Sequence, residues 1–168
     1  SEKEPDKYSD FWKEHGRTFK MGYMDFTNQE KFSKLLKFNT STSKDADELF
    51  SFNEYVSRMK KDQKEIYYIV GNSRESVMLD PHIEIFKSKG IEILYLYDPM
   101  DEFVMEALRK YDDFDIKSAE QADIKKLNQF DNVEEDSGRN VEELSKSDAK
   151  HFSSLMKRMK DILGDRVK

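Results

Sequence analysis

Two short apolar runs restrict the fold of this chain more than any other feature. "EIYYIV" (65–70) stops at Gly71 and Asn72, and "IEILYLY" (91–97) stops at Asp98. Both are rich in β-branched and aromatic residues and are closed by turn formers, which marks them as strands. About 20 residues separate them, with Val77, Leu79, Ile83 and Phe86 at helical spacings and Gly90 as a stop. Strand, helix and strand at that spacing make a parallel crossover, right-handed by the usual rule. Neither run alternates apolar with polar, so the strands are expected to be covered on both faces, with Tyr68 and Leu94 buried in mid-strand. The expected fold class is therefore α/β. It is a small three-layer αβα module with a short parallel sheet, preceded by helices and followed by a linker and a C-terminal helix.

The rest of the chain fits around that unit. Tyr8, Phe11, Trp12 and His15 predict a helix from Pro5 to about Arg17, with Gly16 and Gly22 ending or bending it before Met24. Phe32, Leu35 and Leu36 predict a second helix over 28–38, capped by Thr27 or Asn28. "NTSTSKDADE" (39–48) reads as loop, and a short helix is expected over 52–59. A helix from Pro99 to about Tyr111 leads to a weaker third strand, "FDIKSA" (114–119). Residues 120–140 contain "DNVEEDSGRN", offer almost nothing to bury, and read as a linker or mobile surface segment. From Val141 a helical stripe returns with Leu144, Phe152, Leu155, Met159, Ile162 and Leu163. The expected division is a helical segment (1–60), the α/β module (61–119), the linker (120–140) and the first helix of a further domain (141–168). A start at Ser1 without Met reads as a piece of a longer protein.

Charge and composition exclude several function classes. The net charge is -6, with acids and bases interspersed, so no basic face for nucleic acid is expected. No apolar run is long enough to cross a membrane, and no signal-peptide pattern is present. Zero Cys removes disulfides, thiol nucleophiles and thiolate zinc sites together. Twelve Phe and eight Tyr nonetheless supply a substantial core.

One place invites chemistry. Asp98 follows a strand at the carboxyl edge of the sheet, where open α/β folds bind ligands, and Asp98 with Asp101 could hold Mg²⁺ for phosphoryl transfer or nucleic-acid cleavage. Capping accounts for these residues more completely. Asp98 suits the N-cap, Pro99 the first helical position, and Asp101 and Glu102 the positive end of the helix dipole. Such a metal site also needs a further acid after the neighbouring strand, and "GNS" (71–73) supplies none. Gly71 alone is no phosphate-cradling motif, His15, His82 and His151 lack ligand spacing, and no nucleophile elbow occurs. Lys60, Lys61 and Lys64 read as a solvated face.

On the helix after Pro99, Met100, Val104, Ala107 and Tyr111 are expected to face the sheet, and Glu102, Met105, Glu106 and Arg109 to point away. Phe103 falls at the border. Its spacing alone favours a core role over a surface one.

Several stretches resemble the heat-shock protein 90 chaperone family: "FWKEHGRTFKMG" (11–22), "LLKFNTSTS" (35–43), "EYVSRMKKDQKEIYYIVGNS" (54–73), "GIEILYLYDPMDEFVMEAL" (90–108) and "ILGDRV" (162–167). The motifs Y-V-x-R-M-K-x-x-Q-K-x-I-Y-Y-I and E-x-L-Y-[LM]-x-x-P-x-D-E carry the likeness, which departs near Phe26 and Thr27 and in a longer link over 120–140. The resemblance implies the distal part of a middle domain plus the start of a carboxyl-terminal domain. It implies no enzyme activity and no cofactor in this piece, because ATP, Mg and the catalytic residues belong to other parts of the full-length ATPase. It implies unfolded or client proteins and co-chaperones as partners, a homodimer formed through a domain outside this chain, and neither nucleic acid nor membrane. The cytoplasm is the default compartment, with plastid, endoplasmic reticulum and mitochondrion also used by the family. By position, Glu102 and Phe103, with Glu106 beside them, would contribute to client binding.

Overall fold

The structure, a computed structural model, describes residues 4–25 and 27–133, and beyond them the helical positions Ser154, Leu155, Arg158, Met159 and Ile162. The chain divides into two units, Ser1–Glu134 and Glu135–Lys168, and the first contains the sheet and both of its apolar layers. Apart from those five positions, the helix expected over 141–168 lies outside the described residues, as do residues 134–140 of the expected linker.

In chain order the strands are β1 (Lys37–Thr40), β2 (Phe50–Ser51), β3 (Glu65–Val70), β4 (Ile93–Leu96), β5 (Lys110–Tyr111) and β6 (Phe114–Ser118). The helices are α1 (Pro5–Lys20), α2 (Gln29–Ser33), α3 (Phe52–Arg58), α4 (Arg74–Met78), α5 (Glu84–Lys89), α6 (Pro99–Leu108) and α7 (Ile124–Leu127). The two apolar runs are parallel neighbours, with Tyr67 opposite Ile93 and Val70 opposite Leu96. On its other side β3 pairs in parallel with β6. The crossover from β3 to β4 is two helices rather than one: α4, capped by Ser73, and α5, separated by a 3-10 turn at Pro81–Ile83 that Asp80 caps.

Side chains in the central strands alternate between two apolar layers, as the period of a strand requires. Ile66, Leu94 and Leu96 pack with Trp12, Phe32, Leu36, Phe52, Tyr55, Val104 and Met105. Tyr67, Ile69, Ile93 and Tyr95 pack with Val77, Ile83, Phe86 and Leu127 on the opposite face. Each face is thus covered by helices, and the mixed α/β fold with parallel central strands matches the expectation. Leu94 is buried as expected, but Tyr68 is only half-buried.

The sheet itself is larger than expected. It has six strands in the order β2-β1-β4-β3-β6-β5, and β1 lies antiparallel to β4. The helix expected over 28–38 is corrected: α2 ends at Ser33 and Phe38 lies in β1. The free edge of β4 explains this, because pairing there satisfies its backbone groups and buries Phe38, Asn39 and Thr40. Residues 1–60 therefore supply two strands to the sheet as well as helices. Nor does Gly16 end α1. The helix runs on to Lys20, and a Cβ at Gly16 would lie 2.9 Å from the Trp12 indole, so this glycine makes room for the core tryptophan.

The segment after β6 is also corrected over its described part. Residues 120–133 do bury something: α7 places Leu127 fully inside the second layer, and Phe130 packs against it.

Candidate functional site

The first turn of α6 is built as a cap. Asp98 Oδ1 accepts a hydrogen bond from the Met100 backbone N–H at 3.0 Å, and Pro99 occupies the first turn. Asp101 turns inward, with its side chain 5% exposed. Lys20, at the end of α1 and itself buried, brings Nζ to 2.5 Å from Asp101 Oδ1 and 3.7 Å from Asp98 Oδ2. The approach to Asp101 Oδ1 is close but poorly directed, so that oxygen receives charge without an aligned hydrogen bond. Burial raises the Asp101 carboxyl above its ordinary value against the lowering effect of the Lys20 charge. The two acids that could have held Mg²⁺ are thus occupied, one by a backbone N–H and the other by an ammonium. Among the described residues no group of three or more His, Cys, Asp or Glu side chains is arranged to hold a metal.

Beside this ion pair, α1 and the end of β4 enclose a groove of about 360 Å³. Trp12, Phe38, Tyr95 and Tyr97 line it together with Lys20 and Asp98. Arg17 and Lys20 pair there with Asp98 and Asp101, Lys13, Lys37 and Asp47 also line it, and the lining holds no nucleophile with an adjacent base.

The outer face of α6 is different. At about 100° per residue, Glu102, Phe103 and Glu106 fall within roughly a quarter of the helix circumference. All three are exposed, Phe103 by 51%. The inward stripe is Asp101, Val104, Met105 and Leu108. Met105, expected to point away, is core, and Ala107 and Met100, expected to face the sheet, are only half-buried. Tyr111 is buried, but in β5 rather than on the helix. The wheel is rotated toward Asp101 because Lys20 draws that carboxylate inward. That rotation carries Phe103 out of the core.

Phe103 is not isolated. The Tyr23 ring stacks on it, with centroids 6.3 Å apart and planes at 20°. Tyr23 belongs to a 3-10 turn, Met21–Met24, that continues from α1. The half-buried Tyr68 phenol is raised by burial, and further by the negative charges of Glu102, Glu106 and Glu120. The family resemblance implies Glu102, Phe103 and Glu106 but not Tyr23, which lies on a separate element. The only local mark in "KMGYM" (20–24) is a glycine set among large apolar residues, which does not show that Tyr23 meets α6.

The chain as a whole is similar to known proteins. A family model described as Hsp90 protein matches residues 1–168. The chaperone protein HtpG of Nitratidesulfovibrio vulgaris is 47% identical over 162 residues, covering 95% of this chain and 25% of that protein. The HtpG of Oleidesulfovibrio alaskensis is 45% identical over 167 residues, covering 99% of this chain and 26% of that protein. The chain therefore spans about a quarter of the length of these curated relatives. Among solved structures, the middle domain of a Plasmodium falciparum heat shock protein is similar at a TM-score of 0.65 and 31% identity. That match covers 70% of this chain and 49% of the other.

Proposed function

The chain belongs to the Hsp90 family, and from that premise we propose that its α6 surface, formed by Glu102, Phe103 and Glu106, holds unfolded or client proteins for an ATP-driven chaperone. The observation that carries this reading is the half-exposed Phe103 beside two exposed acids. An aromatic face outside any deep pocket offers apolar area to many sequences without demanding one shape. The buried Lys20–Asp101 pair supports it by fixing the first turn of α6, so that Phe103 is presented rather than packed. In the same proposal the α/β unit is a connector. It joins an ATPase part on one side to a dimerising part on the other, both outside this chain, and co-chaperones act on the assembled protein. The chain by itself turns over no ATP, and ATP with Mg is bound elsewhere in the full-length protein.

The test uses a permanently unfolded client, reduced and carboxymethylated α-lactalbumin, titrated with the 168-residue chain. Phe103→Ala is expected to weaken binding severalfold and Glu102→Ala less. The urea midpoint should barely move, because a half-exposed ring contributes about 1 kcal/mol or less to folding. If binding falls only in step with the unfolded fraction of each variant, Phe103 is a packing residue and the reading fails.

A further inference from the structure

The surface centred on Phe103 extends beyond α6. Tyr23 covers one face of the Phe103 ring, and its chain neighbours Met21 and Met24 are 50% and 57% exposed. Gly22 sets this arrangement. A Cβ there would lie 2.8 Å from the Phe32 ring, so the backbone sits flush on the core while Tyr23 reaches across to α6. Glu102 and Glu106 lie beside Phe103 on α6, and the phenol of the half-buried Tyr68 feels both acids and Glu120. The surface thus brings together acids, Phe103, a stacked tyrosine and its neighbouring methionines. Among the described residues none of Glu102, Glu106 and Glu120 has an ion-pair partner within 4.0 Å.

These features define a partner by its chemistry. Unpaired acids beside aromatic rings attract cations, and the ring faces add cation–π attraction. Flexible methionines at the margin adapt to varied apolar side chains. We propose that Tyr23, Met21 and Met24 complete the surface begun by Glu102, Phe103 and Glu106, and that the whole selects extended segments in which Lys or Arg is interspersed with apolar residues. This rests on α6 being a client surface and adds its second half and its preference.

Three short fluorescein-labelled peptides test it by anisotropy with the 168-residue chain: one of Lys, Leu and Phe, the same peptide with Glu for Lys, and one of Lys and Ser only. The basic apolar peptide should bind best, with each of the others roughly tenfold weaker or more. Tyr23→Ala and the double variant Met21→Ser/Met24→Ser should each weaken it severalfold, and Tyr23→Phe should not. Because the chain is acidic overall, Glu102→Gln/Glu106→Gln must remove the preference for the basic peptide while Glu14→Gln, on exposed α1 surface, leaves it. Should Tyr23→Ala lower the urea midpoint, the exposed methionine pair decides the matter. If Phe103→Ala weakens binding but the Tyr23 and methionine variants do not, the composite surface is wrong and the α6 reading stands. If basic and acidic apolar peptides bind alike, the charge preference is wrong. If Phe103→Ala changes binding of no peptide, the α6 reading falls and this proposal with it.

Discussion

A carboxylate nearly shut off from water persists in β3 because three donors meet it. Glu65 Oε1 accepts hydrogen bonds from Lys117 Nζ at 2.6 Å and Lys126 Nζ at 2.8 Å, and Oε2 accepts from the Tyr67 hydroxyl. Burial alone would raise this acid, but the three hydrogen bonds outweigh burial and hold it down at about 2, against an ordinary 4.5. A depressed acid contributes stability that is complete above its unfolded value and is lost as pH falls through its folded value. The loss should therefore be spread between pH 4.5 and about 2. Urea midpoints followed down that range should fall more steeply in the native chain than in Glu65→Gln. Parallel curves would remove Glu65 from the acid response. Gly90 is decided as locally as Glu65 is not. It closes α5 at φ +58°, and a Cβ there would lie 2.8 Å from Val133 Cγ1. Gly90→Ala should cost about 1–2 kcal/mol in denaturant unfolding. Sequence alone marks Gly90 as a stop and Asp98 as a cap, because a terminus is settled by its own few residues. It marks neither Glu65 nor Lys20 as buried, because their partners Lys117, Lys126 and Asp101 are distant in the chain.

At the scale of elements, the strands β3, β4 and β6 and the helices α3 and α6 were legible, since each carries its own apolar pattern and its own turn or cap. What failed were the elements whose identity is conferred by a neighbour. β1 reads as the tail of a helix, "LLKF", until the open edge of β4 is known. α7 is four residues, too short to be stable alone, and holds because Leu127 enters the layer between β3 and α5 while Lys126 reaches Glu65. Polar composition around it concealed one apolar anchor. Leu127→Ala should thus destabilise the folded unit by roughly 2–4 kcal/mol, the cost of a cavity at a fully buried leucine. Hydrogen exchange provides the companion measurement. Amides Leu127 and Asn128, which donate to Asp123 and Ile124 carbonyls, should exchange more slowly than the exposed Asp131 and Asn132. An unchanged midpoint in Leu127→Ala would mean that α7 does not dock.

For the whole unit, the decisive fact is that one sheet draws its strands from both sides of residue 60. The edge pairing of β1 with β4 is reinforced by side chains that cross the same boundary. Tyr55 donates its hydroxyl to the Glu92 carbonyl at 2.6 Å and accepts the Tyr67 backbone N–H at 3.2 Å. Arg58 grips the Glu92 carboxylate through Nε at 2.8 Å and Nη2 at 2.7 Å. Trp12, Phe32, Leu36 and Phe52 cover the face of the sheet on which Leu94 and Leu96 lie. Local periodicity shows a strand–helix–strand core over 61–119, and that core is present. It does not show that the core is incomplete, because apolar runs on β3 and β4 look the same whether their cover comes from near or far in the chain. A chain trimmed to 61–119 would leave β4 with an unpaired edge and Ile66, Leu94 and Leu96 covered by α6 alone, without Trp12, Phe32, Leu36, Phe52 and Tyr55, which favours association over folding. It should therefore lack a cooperative urea transition and should bind a hydrophobic dye. A chain of 4–133, which retains both layers, should unfold in a single cooperative step. Folding of the short piece with a sharp transition and no dye binding would show that α1, α2, β1 and α3 merely decorate an independent module. In that case the path by which α1, through Lys20 and Asp101, sets the pose of Phe103 would be one the fold can do without.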